Sequence, residues 1–191
     1  MKILNKDEVF MQETHIKEEI LRGSAVFIHP TDTIYGLGCD ATNDNAVSKI
    51  REIKERFKRP FSVIAPSKNW IVKNCEMTDK AEEWLDKLPG PYTLIMKLKN
   101  KDSVSEHANM GMDTIGVRMP DHWMSHVASA VGVPLITTSA NKIDQDFMTS
   151  LDDLDSSIKS KVDFIMYEGE KKGRPSKLVH LEGEEVEIKE R

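Results

Sequence analysis

Cysteine is nearly absent: Cys39 and Cys75 are the only two in 191 residues. They are too few and too far apart for a zinc site or a disulfide framework, and they read as reduced thiols of a cytoplasmic protein. No apolar run approaches the roughly 20 residues that cross a bilayer. The leading stretch MKILNKDEVFMQE scatters charges where a signal peptide has its apolar core. A basic excess is also missing. Lys and Arg number 27 against 32 Asp and Glu, for a net charge of −5. That excludes a whole-surface nucleic-acid binder while leaving room for a local basic cleft. There is no Walker A loop and no Gly-x-Ser-x-Gly elbow, and His122 and His126 lack the His-Glu-x-x-His pattern, so no metal-ligating set is expected. Aromatic residues make up 6% and look like core rather than a stacking platform. Without repeats or a Pro, Gly or Ser-rich linker, residues 1–191 read as one domain, and 39% hydrophobic composition is enough for one substantial core.

What is present alternates. Lys6 to Leu21 carries Val9, Phe10, Ile16, Ile20 and Leu21 at near-helical spacing, ending at Gly23. Ala25 to Ile28 is an apolar strand ended by Pro30, which cannot donate to a ladder. The polar turn Thr31-Asp32-Thr33 follows, then Gly36 and Gly38, expected where the backbone needs glycine's freedom before the next helix. Asn43 or Asp44 caps that helix, whose stripe is Ala46, Val47, Ile50 and Ile53, and KERFKR carries it to Pro60. Phe61 to Ala65 is a strand, and Thr78 caps a helix with Ala81, Trp84, Leu85 and Leu88 inward. Tyr92 to Leu98 and Thr114 to Met119 are strands on either side of a long polar loop, Lys99 to Asp113. Asp121 caps a helix closed by Gly132, and the strand Val133 to Thr138 delivers Ser139-Ala140-Asn141. A helix from Ser150 or Asp152, a strand at Phe164 to Tyr167 and a hairpin around Glu182-Gly183 complete the chain. Alternating strands and helices give an α/β class, and the late hairpin makes the sheet mixed.

In open α/β sheets ligands collect beyond the carboxyl ends of the strands. That rule singles out Thr31 to Thr33, Arg118, Ser139 to Asn141 and the Gly173-Arg174-Pro175-Ser176 segment. Lys54 and Arg56 stand two apart, so they converge only where their helix is ending; otherwise they are solvated cations that complement the helix dipole. Arg118 lies in an apolar strand between Val117 and Met119. Arginine is seldom buried unpaired, so it is either ion-paired or grips an anion through its fork. Ser139 and Asn141 read equally as ligand groups or as a cap or Asx-turn. Neither Ser139 nor Ser176 sits in a nucleophile elbow, and the histidines show no base spacing. The residues alone describe an anion-binding cleft with no obvious general base.

Six segments in order carry a resemblance: PTDTIYGLGCDA (Pro30 to Ala41), Lys54-x-Arg56, PGPYT (Pro89 to Thr93), TIGVRMPDH (Thr114 to His122), PLITTSAN (Pro134 to Asn141) and Pro175-Ser176 before a late strand. Together they resemble the YrdC-like family of TsaC-like threonylcarbamoyl-AMP synthases, in the short form without an extra C-terminal domain. The resemblance implies a twisted mixed sheet with helices packed on it and an open concave face. It implies a nucleotidyltransferase that turns L-threonine, bicarbonate and ATP into threonylcarbamoyl-AMP, pyrophosphate and water, with Mg²⁺ accompanying the ATP. A downstream threonylcarbamoyl transferase complex would pass the product to tRNA; direct tRNA binding stays open. Residue by residue, it implies catalytic roles for Lys54, Arg56, Ser139 and Asn141. Thr33, Arg118, Ser139 and Ser176 would hold threonine, and Arg56, Arg59, Thr114, Asn141 and Thr149 would hold ATP. The alternative is a non-catalytic member that binds tRNA or nucleotide. Three departures stand out. Ile143-Asp144 replaces a Ser-Gly pair after Asn141, and the Lys54 to Pro60 segment is about one residue shorter than usual, which blurs the assignment of Arg59. VEIKER replaces a late Arg-x-Gly, with Lys189 and Arg191 out of register for it.

Overall fold

A computed structural model describes residues 1–142 and 145–190; Ile143, Asp144 and Arg191 lie outside the described residues. The strands are β1 (Lys2–Leu4), β2 (Phe27–His29), β3 (Gly36–Gly38), β4 (Ser62–Ile64), β5 (Tyr92–Lys97), β6 (Thr114–Arg118), β7 (Leu135–Ser139), β8 (Phe164–Met166), β9 (Lys177–His180) and β10 (Glu187–Lys189). They form one sheet in the order β1-β8-β2-β3-β7-β4-β6-β5-β9-β10. Pairing is mixed: β4 runs parallel to β6 and antiparallel to β7, and β5 runs parallel to β9.

The helices are α1 (Lys6–Met11), α2 (Glu13–Gly23), α3 (Asp44–Lys54), α4 (Lys68–Asn74), α5 (Asp79–Asp86), α6 (Glu106–Asn109), α7 (Met124–Val131) and α8 (Ser156–Lys159). Neighbouring strand residues point to opposite faces, which gives the sheet two separate cores. On one face, Ala46, Val47, Ile50 and Ile53 of α3 pack with Ile28, Val63, Val117 and Ile136. On the other, Val9, Ile16 and Ile20 join Met124, Val127 and Val131 of α7 over Phe27, Ile64, Leu135 and Phe164. That second cover stops partway. Further along the same face β4, β6 and β7 present Ser62, Thr114, Gly116, Arg118 and Thr137 instead of hydrocarbon, and a cavity opens over them.

Several boundaries differ from the sequence reading. The first helix breaks at Gln12 into α1 and α2, and α1 is held by a capping box between Asn5 and Glu8. Gly36 and Gly38 do not lead into a helix. They form β3, antiparallel to β2, and they are glycine for space rather than for backbone angle. A Cβ on Gly38 would come 2.8 Å from Phe27 Cε2, and one on Gly36 3.0 Å from His29 Nε2. The α3 helix stops at Lys54, not at Pro60, because Glu55 adopts a left-handed conformation at φ 55°. The polar stretch Lys99 to Asp113 contains α6, and α4 was missed although Ser67 caps it by accepting from Trp70 N at 3.1 Å. Asp121 is not the cap of α7, whose N-cap is Trp123; its amide donates to Asp32 Oδ2 at 3.0 Å. Asp155 rather than Ser150 or Asp152 starts α8. No helix among the described residues is long and apolar enough to cross a membrane.

Candidate active site

The cavity encloses about 510 Å³. Its floor is a row across the sheet: Thr137, Ser62, Gly116, Ile95 and His180 stand side by side on β7, β4, β6, β5 and β9. Gly116 keeps the floor low, since a Cβ there would meet Ser62 Oγ at 2.6 Å. The expectation of a ligand beyond the carboxyl ends of the strands is corrected by this topology. β6 and β7 run in opposite directions, because β4 is parallel to one and antiparallel to the other. Arg118 and Ser139 therefore end their strands at opposite margins, and the cavity spans the face between them.

At one margin sits Arg118, 5% exposed. Its Nη2 donates to Asp32 Oδ1 at 2.8 Å and to Thr33 Oγ1 at 3.2 Å. Of the two fates open to a buried arginine, ion pairing is present, and the guanidinium still borders the cavity. Thr33 Oγ1 also bonds Thr31 Oγ1 at 2.9 Å, and Thr31 in turn donates to the Ile34 carbonyl, so the polar turn is self-locked. Ser176 Oγ lies 2.7 Å from Thr93 Oγ1, both buried at this margin. Gly173 makes the approach possible: a Cβ on it would fall 2.0 Å from the Thr33 carbonyl oxygen.

At the other margin Lys54 is 2% exposed. Its Nζ donates to the Ser139 carbonyl at 2.5 Å, the Asn141 carbonyl at 2.6 Å and Asn141 Oδ1 at 3.1 Å. Burial, and then the neighbouring Arg56 guanidinium, lower its pKa to about 7. Three oxygens around one nitrogen use all the hydrogens of an ammonium, so the charged form matches the geometry. Ser139 Oγ donates to Asn141 Oδ1 at 2.5 Å, and Asn141 Nδ2 donates to the Gln145 carbonyl at 2.6 Å. The early end of α3 lets Lys54 and Arg56 turn to the same side. Both border a second cavity of about 420 Å³ with Lys58, Arg59, Lys142, Ser139 and Asn141. Arg56, Ser139 and Asn141 also border the main cavity, so the two spaces share these residues as a wall.

The loop after α3 is pinned by Arg51, which sequence reasoning passed over. Its guanidinium donates to the carbonyls of His107, Arg56, Arg59 and Ala108 and stacks over Phe61 with Cζ 4.4 Å from the ring centroid. An arginine one turn before a cluster of cations, on the inward stripe of an amphipathic helix, was the available signal.

Of the residues singled out beforehand, Arg56, Thr114, Arg118, Ser139, Asn141 and Ser176 border the main cavity. Lys54 and Arg59 border the adjoining one, and Thr33 touches the site through Arg118. Thr149 borders neither cavity: its hydroxyl donates to Asp153 Oδ2 at 2.5 Å in a turn before α8. The Ile143-Asp144 departure falls outside the described residues. Asp32 and Gly173 lie inside segments singled out from the sequence but had no role of their own there, and Thr93 appeared only within the PGPYT segment. His122 and His126 face different carboxylates, Glu168 at 2.8 Å and Glu13 at 2.9 Å. No group of three or more His, Cys, Asp or Glu suited to a metal occurs among the described residues.

Comparison with known proteins gives the family and the fold. Residues 19–191 match the family model of Sua5, YciO and YrdC, which carries the description "Telomere recombination". A Methanocaldococcus jannaschii protein named "Putative threonylcarbamoyl-AMP synthase" is 37% identical over 186 residues, 96% of this chain and 86% of the relative. A Vibrio campbellii "Threonylcarbamoyl-AMP synthase" is 31% identical over 166 residues, 83% of this chain and 88% of the relative. The crystal structure of P. abyssi Sua5 complexed with L-threonine superposes with a TM-score of 0.85 at 26% identity. That match covers 98% of this chain, which spans 56% of the Sua5 chain.

Proposed function

The chain belongs to the family of Sua5, YciO and YrdC, and we propose that it works as a threonylcarbamoyl-AMP synthase. The observation that carries this reading is one cavity with a cation at each margin: Arg118 backed by Asp32, and Arg56 beside the turn that Lys54 holds. Threonine would place its carboxylate on Arg118 near Thr33 and Ser176, and the triphosphate of ATP would lie along Arg56, Ser139 and Asn141 towards Lys58 and Arg59. The threonine amine attacks the bicarbonate carbon and water leaves, giving a carbamate. A carbamate oxygen then attacks the α-phosphorus, and the bond to the bridging oxygen breaks to release pyrophosphate.

Three anions must meet before that second step. The work of the site is thus neutralisation and positioning rather than proton transfer. Mg²⁺ would enter with ATP as its counter-ion and would neutralise part of the phosphate charge. The product is an activated anhydride that a transferase must consume, and this reading passes it to a threonylcarbamoyl transferase complex acting on tRNA. It sets the reaction in the cytoplasm, where the free, buried Cys39 and Cys75 stay reduced.

The test is pyrophosphate release from Mg-ATP by purified protein. Release that requires both L-threonine and bicarbonate supports the reading; release independent of threonine overturns it. Tight tRNA binding without turnover supports the non-catalytic alternative.

A further inference from the structure

We propose that Glu168 is a positioning residue for the Arg118 margin: its carboxylate ties the segment after β8 to the turn after β6 and so sets how Arg118, Thr33 and Ser176 stand to one another. This rests on that margin holding the threonine carboxylate. Glu168 itself borders neither cavity, so it acts through its neighbours.

Three donors converge on this one carboxylate. Oε1 accepts from His122 Nε2 at 2.8 Å and from Lys171 Nζ, and Oε2 accepts from Trp123 Nε1 at 2.5 Å. The other ring nitrogen fixes the state of His122. The Met124 amide, which can only donate, lies 3.1 Å from Nδ1, so Nδ1 accepts and Nε2 carries the hydrogen given to Glu168. Burial raises the Glu168 pKa, but the bonds from Lys171, Trp123 and His122 together outweigh it and hold the carboxyl below its ordinary value. The side chains of His122, Glu168 and Lys171 are 11%, 25% and 15% exposed, so water competes little for these bonds.

Segments that build the Arg118 margin meet at this carboxylate. His122 and Trp123 stand in the turn after β6, the strand that ends at Arg118. In the same turn the Asp121 amide donates to Asp32 Oδ2 at 3.0 Å, and Asp32 Oδ1 accepts from Arg118 Nη2 at 2.8 Å. Asp32 is thus stretched between Arg118 and the turn that Glu168 holds. The backbone of Glu168 is fixed from the other side. Its amide donates to Tyr35 Oη at 3.1 Å, and Tyr35 Oη donates to the Gly169 carbonyl at 2.6 Å. Tyr35 is fully buried, lines the cavity and directly follows the turn that Thr31 closes on Ile34. From Glu168 the chain runs past Gly173, packed against the Thr33 carbonyl, to Pro175 and Ser176 on the cavity wall. A shift of Glu168 therefore moves Asp32 and the approach to Ser176 together. The Lys54 margin hangs on α3 and β7 instead.

The experiment measures L-threonine and ATP affinity by titration calorimetry, with steady-state kinetics and thermal melts, for the wild type, Glu168→Gln and Lys171→Met. Glutamine has the same length but one accepting oxygen, and its amide turns a donor towards Lys171 or Trp123. Glu168→Gln is expected to weaken threonine binding and raise its KM about tenfold, with ATP affinity and kcat at saturating threonine within about twofold of wild type. Lys171→Met removes one donor of the three and is expected to weaken threonine binding about threefold, which keeps the test open if Glu168→Gln does not fold. Unchanged threonine affinity in every folded variant overturns the proposal. Equal losses for threonine and ATP overturn it too, since Glu168 would then prop the whole fold. Failure of the wild type to bind threonine overturns the reading of the margin itself.

Discussion

The Lys54 ammonium bridges the Ser139–Asn141 turn, 2.5 Å from one carbonyl oxygen and 2.6 Å from the other. It acts on the protein before it acts on any anion, because it fixes the groups that face the phosphate margin. Lys54→Ala takes the ammonium from the carbonyls of Ser139 and Asn141, while Asn141 Oδ1 keeps its bond from Ser139 Oγ. We expect kcat/KM to fall by 10²–10³, about 3–4 kcal/mol of transition-state stabilisation, together with a drop in Tm. Arg56→Ala should lose comparable activity with a smaller drop in Tm, since its contact with the Pro60 carbonyl is solvent-exposed. Steady-state kinetics beside thermal melts separate the two behaviours; equal melting losses would contradict them.

Asp32 holds Arg118 from behind, and the pair is nearly dry, with side-chain exposures of 12% and 6%. Removing one partner of such a pair costs about 3–5 kcal/mol where the other charge is left uncompensated. Asp32→Asn keeps an acceptor but loses the charge. We expect it to raise the KM for threonine about 10- to 100-fold, roughly 1.4–2.7 kcal/mol, with the KM for ATP little changed. Equal rises in both would mean that Asp32 serves the fold as a whole.

Gly173 is the tightest backbone approach near the site, 2.0 Å from a would-be Cβ to the Thr33 carbonyl oxygen. Backbone cannot rotate away as a side chain does. Gly173→Ala should push Thr33 and its contact with Arg118 out of place, costing about 1–3 kcal/mol in threonine binding. Calorimetric titration with threonine checks this, with ATP affinity as the control.

His29 is fully buried, and desolvation lowers its pKa to about 4 from 6.5. Its folded-state value lies below the unfolded one, so between these values the unfolded chain binds more protons. Stability is complete above pH 6.5 and falls as pH drops towards 4, by up to about 3 kcal/mol. Urea midpoints of the wild type against His29→Gln should diverge over that window. Parallel curves would place the acid sensitivity elsewhere.

Much of the site was legible because its residues break a pattern. In β6, Thr114, Gly116 and Arg118 border the cavity while Ile115 and Val117 join the core on the other face, and the letters showed that break as an arginine inside an apolar strand. Helix α3 was equally plain from its single stripe. Two kinds of fact were hidden. Strand direction decides whether Arg118 and Ser139 share a margin, and single-strand periodicity carries no information about pairing. Close approach was hidden too: Gly38 and Gly173 are glycine because Phe27 and Thr33 occupy the space a Cβ needs, and those neighbours are distant in sequence. Asp32 could have been paired with Arg118 only by knowing that a turn 86 residues earlier folds back over β6.

The most direct measurement is the fate of labelled carbon. Protein supplied with [¹³C]bicarbonate, L-threonine and Mg-ATP should form an adenylate whose mass contains threonine, the labelled carbon and AMP, in step with pyrophosphate release. That product should disappear in Arg56→Ala and Lys54→Ala. Pyrophosphate appearing without a labelled threonine adduct would contradict the account.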